Sequence, residues 1–107
     1  MSDSAFLHIL RLLDASPYRT QREMARELGM SLGKANYLTR ALLAKGFLKV
    51  HNFKSSTDKR AYAYLLTTEG VRAKTELAKR FLVLKTQEYE ALCLELERLR
   101  SECAGEP

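Results

Sequence analysis

The chain has 107 residues, 46% of them hydrophobic, with a formal net charge of +5. That length supports one modest core, as a single domain or a domain with an appended element. No apolar run approaches the roughly 18 residues of a membrane span. Two cysteines do not make a disulfide framework.

Charge is unevenly placed. Residues 1–85 carry 16 Lys and Arg against 7 Asp and Glu, and residues 86–107 carry 2 against 6. A basic body followed by an acidic segment suits a polyanion-binding unit with a separate element doing another job. A solvated basic surface with no partner would give the same totals, so charge alone decides nothing. Asp3 and the absence of an early basic cluster argue against a secretory signal, and a cytoplasmic location is expected.

In chain order, residues 4–15 read as a first helix. Phe6, Ile9, Leu10 and Leu13 form its expected buried stripe. Leu7 and Leu12 lie outside that stripe and are expected to meet a second subunit or the C-terminal helix. Pro17 then opens a connection.

Thr20 begins the stretch around which the chain is organised. It is a good N-cap, and Glu23 three residues on completes a capping box. Met24, Ala25 and Leu28 share one face. Gly29 stops the helix, because glycine takes the left-handed conformation without steric cost. Ser31 caps the next helix, residues 32–45. Its Ala35, Leu38 and Leu42 face a core. Gly33, Asn36, Tyr37 and Arg40 share another face, with Lys34 beside them. A short helix, a glycine turn and a longer helix with a polar front make a helix-turn-helix pattern.

Gly46 ends that helix. Residues 47–53 are rich in β-formers, with Leu48 and Val50 alternating against Lys49 and His51. Residues 54–60 are polar and carry Lys54, Asp58, Lys59 and Arg60. Residues 61–67 read as a second strand. The two strands make a hairpin. A hairpin directly after a helix-turn-helix is a wing, and its basic tip is suited to phosphates or a narrow minor groove.

Thr67 or Thr68 caps a last helix that runs to about Ser101. Leu77, Phe81 and Leu84 recur at four and three, as do Leu92, Leu96 and Leu99. The register slips between the two sets, so a bend or break near residues 86–88 is expected. A helix this long exceeds what the body can bury, and its leucine-rich second half calls for a partner, most simply another copy. These six residues are the candidate dimer interface. The expected division is a DNA-binding domain over residues 1–68 and a helical dimerisation segment over 69–107.

No catalytic constellation is visible. His8 and His51 are far apart and lack Cys, Asp or Glu at ligand spacing. No phosphate-binding loop or nucleophile motif occurs. The chain is therefore not expected to be an enzyme, and no cofactor or metal is expected. Residue chemistry instead points to duplex DNA. Lys34, Asn36, Tyr37 and Arg40 are placed for the major groove, where Arg suits guanine and Asn suits adenine. Ser31 and its neighbouring amides suit a phosphate. Arg19 and Arg22 open the second helix and suit the backbone as well.

The turn at residues 20–31, the ALLAKGFLKV step into the first strand, the Asp58-Lys59-Arg60 tip and LLTTEG opening a long helix together resemble the MarR family of regulators. The resemblance covers about residues 5–75. It implies a mainly α winged helix-turn-helix with a small hairpin, acting as a homodimeric DNA-binding transcriptional regulator. It further implies that Arg60 enters the minor groove, that Asp58 braces it, and that residues 33–40 are the recognition front. Family members usually carry a helix ahead of this core. Here the first helix starts near residue 4, which puts the dimer contacts mainly on the C-terminal helix and leaves a small-molecule effector undefined. A chain this short is similar to the MarR-like regulators associated with exopolysaccharide gene clusters. An adaptor that docks a different protein through the acidic C-terminal helix is the alternative reading.

Overall fold

The computed structural model describes residues 3–52 and 62–105. Its elements run α1 (Asp3–Ala15), α2 (Gln21–Leu28), α3 (Leu32–Ala44), β1 (Leu48–Asn52), β2 (Tyr62–Leu66) and α4 (Thr68–Ala104). The contacts divide into two units, Met1–Leu77 and Ala78–Pro107. The division falls inside α4, so the first turns of that helix belong with the winged unit.

The core of the first unit joins Ala5, Ile9, Leu10 and Leu13 of α1 to Met24 of α2, Leu38 and Leu42 of α3 and Leu48 of β1. Ala73 and Leu77 of α4 pack against it. Helix α1 touches α2, α3 and β2 at once. That position corrects the single-stripe expectation. Leu7 is buried and Leu12 packs on the core, while Phe6 is only half-buried. The apolar surface of α1 is wide because its neighbours enclose it on several sides, and Leu7 is not left over for a second subunit.

Strands β1 and β2 pair antiparallel, with Leu48 opposite Leu66 and His51 opposite Ala63. Leu48 enters the core while Val50, two residues on along the same face, is 48% exposed. Strand β1 is therefore anchored at its base and exposed on this face beyond it, while β2 stays against the body, with Ala63 only 1% exposed. The Tyr64 amide donates to the Pro17 carbonyl at 3.0 Å, which ties β2 to the α1–α2 connection. The expected basic tip, residues 54–60, lies outside the described residues.

Thr67 fixes the start of α4. Its hydroxyl accepts from the Gly70 amide at 3.0 Å and donates to the Gly46 carbonyl. Its own amide donates to the Phe47 carbonyl at 3.1 Å. From there α4 runs for 37 residues without interruption, about 55 Å at helical rise. The break expected near residues 86–88 is absent. The Thr86 hydroxyl bonds the Leu82 carbonyl at 2.7 Å, and Lys85 pairs with Glu88 at 3.2 Å. Both polar side chains are satisfied along the helix, so nothing there interrupts it.

Candidate nucleic-acid interface

Every cap of the helix-turn-helix is local. Thr20 Oγ1 accepts from the Glu23 amide at 3.0 Å, and the Thr20 amide donates to Glu23 Oε1 at 3.2 Å. The capping box is complete. Gly29 has φ of 65°, and the Met30 amide reaches back to the Ala25 carbonyl at 2.9 Å. A side chain at Gly29 would be strained in this conformation, which is what allows the sharp turn into α3. Ser31 accepts from the Lys34 amide at 3.1 Å and so begins α3.

Helix α3 buries Ala35, Leu38, Thr39 and Leu42. Thr39 is the one buried polar residue of this face, and its hydroxyl is satisfied by the Ala35 carbonyl at 2.7 Å. Lys34, Tyr37 and Arg40 are exposed. Asn36, Tyr37, Arg40, Ala41 and Ala44 line a shallow groove of about 420 Å³ on the outer side. The small alanines leave room beside the Tyr37 ring and the Arg40 guanidinium, a shape able to receive an edge of another molecule.

Asn36 is held differently from its neighbours. It is half-buried, and its Nδ2 donates to Gln21 Oε1 at 2.8 Å. Gln21 Nε2 in turn donates to the Tyr64 hydroxyl at 3.4 Å. One polar relay therefore links α3, the first turn of α2 and the wing strand β2. Neither Gln21 nor Tyr64 carried a sequence signal for this, since the partners are 15 and 43 residues apart.

The arginines in and just before α2 separate into two kinds. Arg19 is half-buried, 3.2 Å from Glu27 Oε1 and 4.0 Å from Glu23 Oε2. Its charge is balanced by these two carboxylates and its Nε is buried without a hydrogen-bond partner. That makes Arg19 a brace for α2. Arg22 is exposed, and so is Arg26 one turn later. Arg26 went unremarked in the sequence, although its spacing of four from Arg22 puts the two on one face. With Thr20 and Glu23 they border a surface depression. Lys54, Asp58, Lys59 and Arg60 lie outside the described residues, whereas Lys49 and His51 on β1 are exposed.

Of the candidate dimer residues, Leu77 packs on the core of the winged unit and Phe81 is half-buried. Leu84, Leu92, Leu96 and Leu99 are 49%, 57%, 39% and 46% exposed. Among the described residues no group of His, Cys, Asp or Glu is placed to hold a metal ion. No helix there is long and apolar enough to cross a membrane.

Three helices, a two-stranded wing and a long helix in this order define a winged helix-turn-helix. A family model described as winged helix-turn-helix DNA-binding matches residues 7–49. No curated protein matches in sequence. Solved structures match over nearly the whole chain. The PcaV transcriptional regulator from Streptomyces coelicolor, in complex with its natural ligand, is 22% identical with a TM-score of 0.68, over 94% of this chain and 75% of that one. A MepR mutant from S. aureus bound to an oligodeoxyribonucleotide is 21% identical with a TM-score of 0.62, over 94% and 78%. A MarR/EmrR family transcriptional regulator from an Acinetobacter is 20% identical with a TM-score of 0.61, over 96% and 77%. The chain has the winged helix-turn-helix fold of the MarR regulators.

Proposed function

We propose that the chain is a sequence-specific DNA-binding transcriptional regulator of MarR type, working as a homodimer and repressing by occlusion. The observation that carries this reading is the exposed polar front of α3. Lys34, Tyr37 and Arg40 stand out from a helix whose other side is locked in the core and whose start is fixed by two caps. Such a helix is rigid enough to set a side chain against a base edge. The oligodeoxyribonucleotide bound by the MepR mutant lends support from a protein of the same fold.

Arg40 and Tyr37 read the major groove, with Asn36 at the edge of the front. Lys34, expected at the major groove, stands in the first turn of α3 beside its Ser31 cap, and with Ser31 and the amides there it meets phosphate, as does Arg22. Lys54, Lys59 and Arg60 meet the flanking backbone or the minor groove, with Asp58 as brace. Arg19 contributes through the shape of α2. Two copies joined through α4, with Phe81, Leu84, Leu92, Leu96 and Leu99 as the candidate contacts once Leu77 is taken up by its own core, read two half-sites about 34 Å apart.

Selection of bound sequences from random duplex, followed by titration of the winning site, tests the proposal. Arg40→Ala should lose about 1–3 kcal/mol of discrimination at one base pair of each half-site. Lys59→Ala should weaken all duplexes alike. Unchanged specificity and affinity in Arg40→Ala would overturn the assigned front. Absence of any duplex binding at low salt would overturn the function.

A further inference from the structure

The unbroken α4 changes how its apolar residues line up. Over residues 78–103 the positions Ala78, Leu82, Lys85, Tyr89, Leu92, Leu96, Leu99 and Cys103 recur at alternating spacings of four and three. This is a heptad seam carried through nearly four repeats, with one polar member. All eight are exposed, Leu82 at 68% and Tyr89 at 67%. Leu77 and Leu84 lie off this seam, and Phe81 lies at its edge. The slip between the two leucine sets is therefore a change of neighbour. Leu77 serves the winged core, and the seam beginning at Ala78 serves something else.

We infer that residues 78–103 of α4 pair with the same segment of a second copy as a parallel two-stranded coiled coil. This deepens the proposed homodimer and rests on it. The charges beside the seam choose the partner and its direction. One flank carries Glu88, Glu95 and Glu102 behind Phe81. The other carries Lys79, Thr86, Cys93 and Arg100. In a parallel pair the first flank of one helix faces the second flank of its mate, five residues further on. Glu95 then meets Arg100 of the other copy, and no like charges oppose each other within the seam's length. In an antiparallel pair each flank faces itself. Glu88 would then confront Glu95, and Lys79 would confront Arg100.

Lys85 fixes the register. It is the one charged residue of the seam, and it already pairs with Glu88 at 3.2 Å on the acidic flank. In the parallel pair both Lys85 residues fall in one layer, each with its own Glu88 beside it. A shift of the helices by a heptad would place each lysine opposite an apolar residue and spoil two layers instead of one, which is how a lone polar core residue sets register in coiled coils.

Cys103 ends the seam and supplies a native reporter, while Cys93 sits on a flank. Full-length protein should have twice the chain mass in solution. Mild oxidation should give a cross-linked dimer from the wild type and from Cys93→Ser, and none from Cys103→Ser. Glu95→Arg should weaken association about five-fold, given two exposed pairs per dimer, and Glu95→Arg with Arg100→Glu should restore it. A dimer that forms no Cys103 cross-link, or one that Glu95→Arg strengthens, would overturn the parallel pairing and leave the homodimer standing. A constant monomer mass at all concentrations would overturn both. Duplex titration of the same samples reports separately on the DNA reading.

Discussion

Replacing Gly70 by Ala tests how the wing is joined to the long helix. A methyl carbon at Gly70 would lie 2.0 Å from the Phe47 carbonyl oxygen, 2.9 Å from its carbon and 3.3 Å from Cα. The obstacle is backbone, so no rotamer change relieves it. The two segments must part by about 1 Å or more to reach even a tight contact. The same Phe47 oxygen accepts the Thr67 amide, and the Thr67 hydroxyl holds the Gly46 carbonyl. Parting them therefore strains two hydrogen bonds as well. Overpacking costs about 1–3 kcal/mol, and weakening the bonds adds about 1 kcal/mol. Alanine's better helix propensity returns about 0.5 kcal/mol this close to the helix start. The net loss is about 2–3 kcal/mol, a fall of ~10–20 °C in melting temperature for a unit of this size. Far-UV circular dichroism melts at one fixed protein concentration measure it, since association shifts apparent stability. Gly33→Ala is the control, because Gly33 is exposed on a helix and a methyl there meets nothing within 4 Å. A Gly70→Ala protein that melts at or above the wild type would refute the close approach and the reasoning built on it.

Two further outcomes concern the interface. Gln21→Leu removes the middle of the Asn36–Gln21–Tyr64 relay and should cost about 1–2 kcal/mol of stability by leaving the Asn36 amide unpartnered. Tyr64→Phe keeps the ring and breaks only the 3.4 Å bond, so its melt should stay within about 1 kcal/mol of the wild type. Arg22→Ala and Arg26→Ala should each flatten the slope of log affinity against log salt by about one per protomer, while Arg19→Ala, whose charge is matched internally, should lower thermal stability and leave the slope unchanged.

Much of the helix-turn-helix could be read before any coordinates because its determinants are local. Thr20 with Glu23, Gly29, and Ser31 all act within three or four residues of themselves. The wing was legible for a similar reason, since alternation at Leu48 and Val50 is a short-range pattern. What sequence could not show was tertiary. Leu7 looked surplus because the number of elements packed around α1 is not written in α1. Gly70 reads as an ordinary glycine near a helix start until the Phe47 carbonyl is beside it. Asn36 shares the helical face of Tyr37 and Arg40, yet Gln21 reaches it from another helix. At residues 86–88 the slip between the two leucine sets looked like a break, but Thr86 and Lys85 bond within their own helix and leave it continuous.

The narrowness of the α3 front ties the proposed DNA reading to the proposed dimer. Four α3 positions are buried and Asn36 is held by Gln21. That leaves Tyr37 and Arg40, exposed side by side on the outer groove, as the base readers of one protomer. A good side-chain contact discriminates by about 1–3 kcal/mol. Two such contacts fall short of the roughly 4–10 kcal/mol by which specific sites exceed non-specific DNA. Repeating them across a two-fold axis brings the total into that range, so a single copy should be a poor regulator. Leu92→Glu with Leu99→Glu places carboxylates in exposed positions of α4 and should yield a folded monomer. Its affinity for a single half-site should match that of the wild-type chain, while its affinity for the two-half-site operator should fall by ~100-fold or more, as effective concentration is lost. An unchanged operator affinity in a protein of monomer mass would mean that one winged unit reads the site alone, and the need for a second copy would be gone.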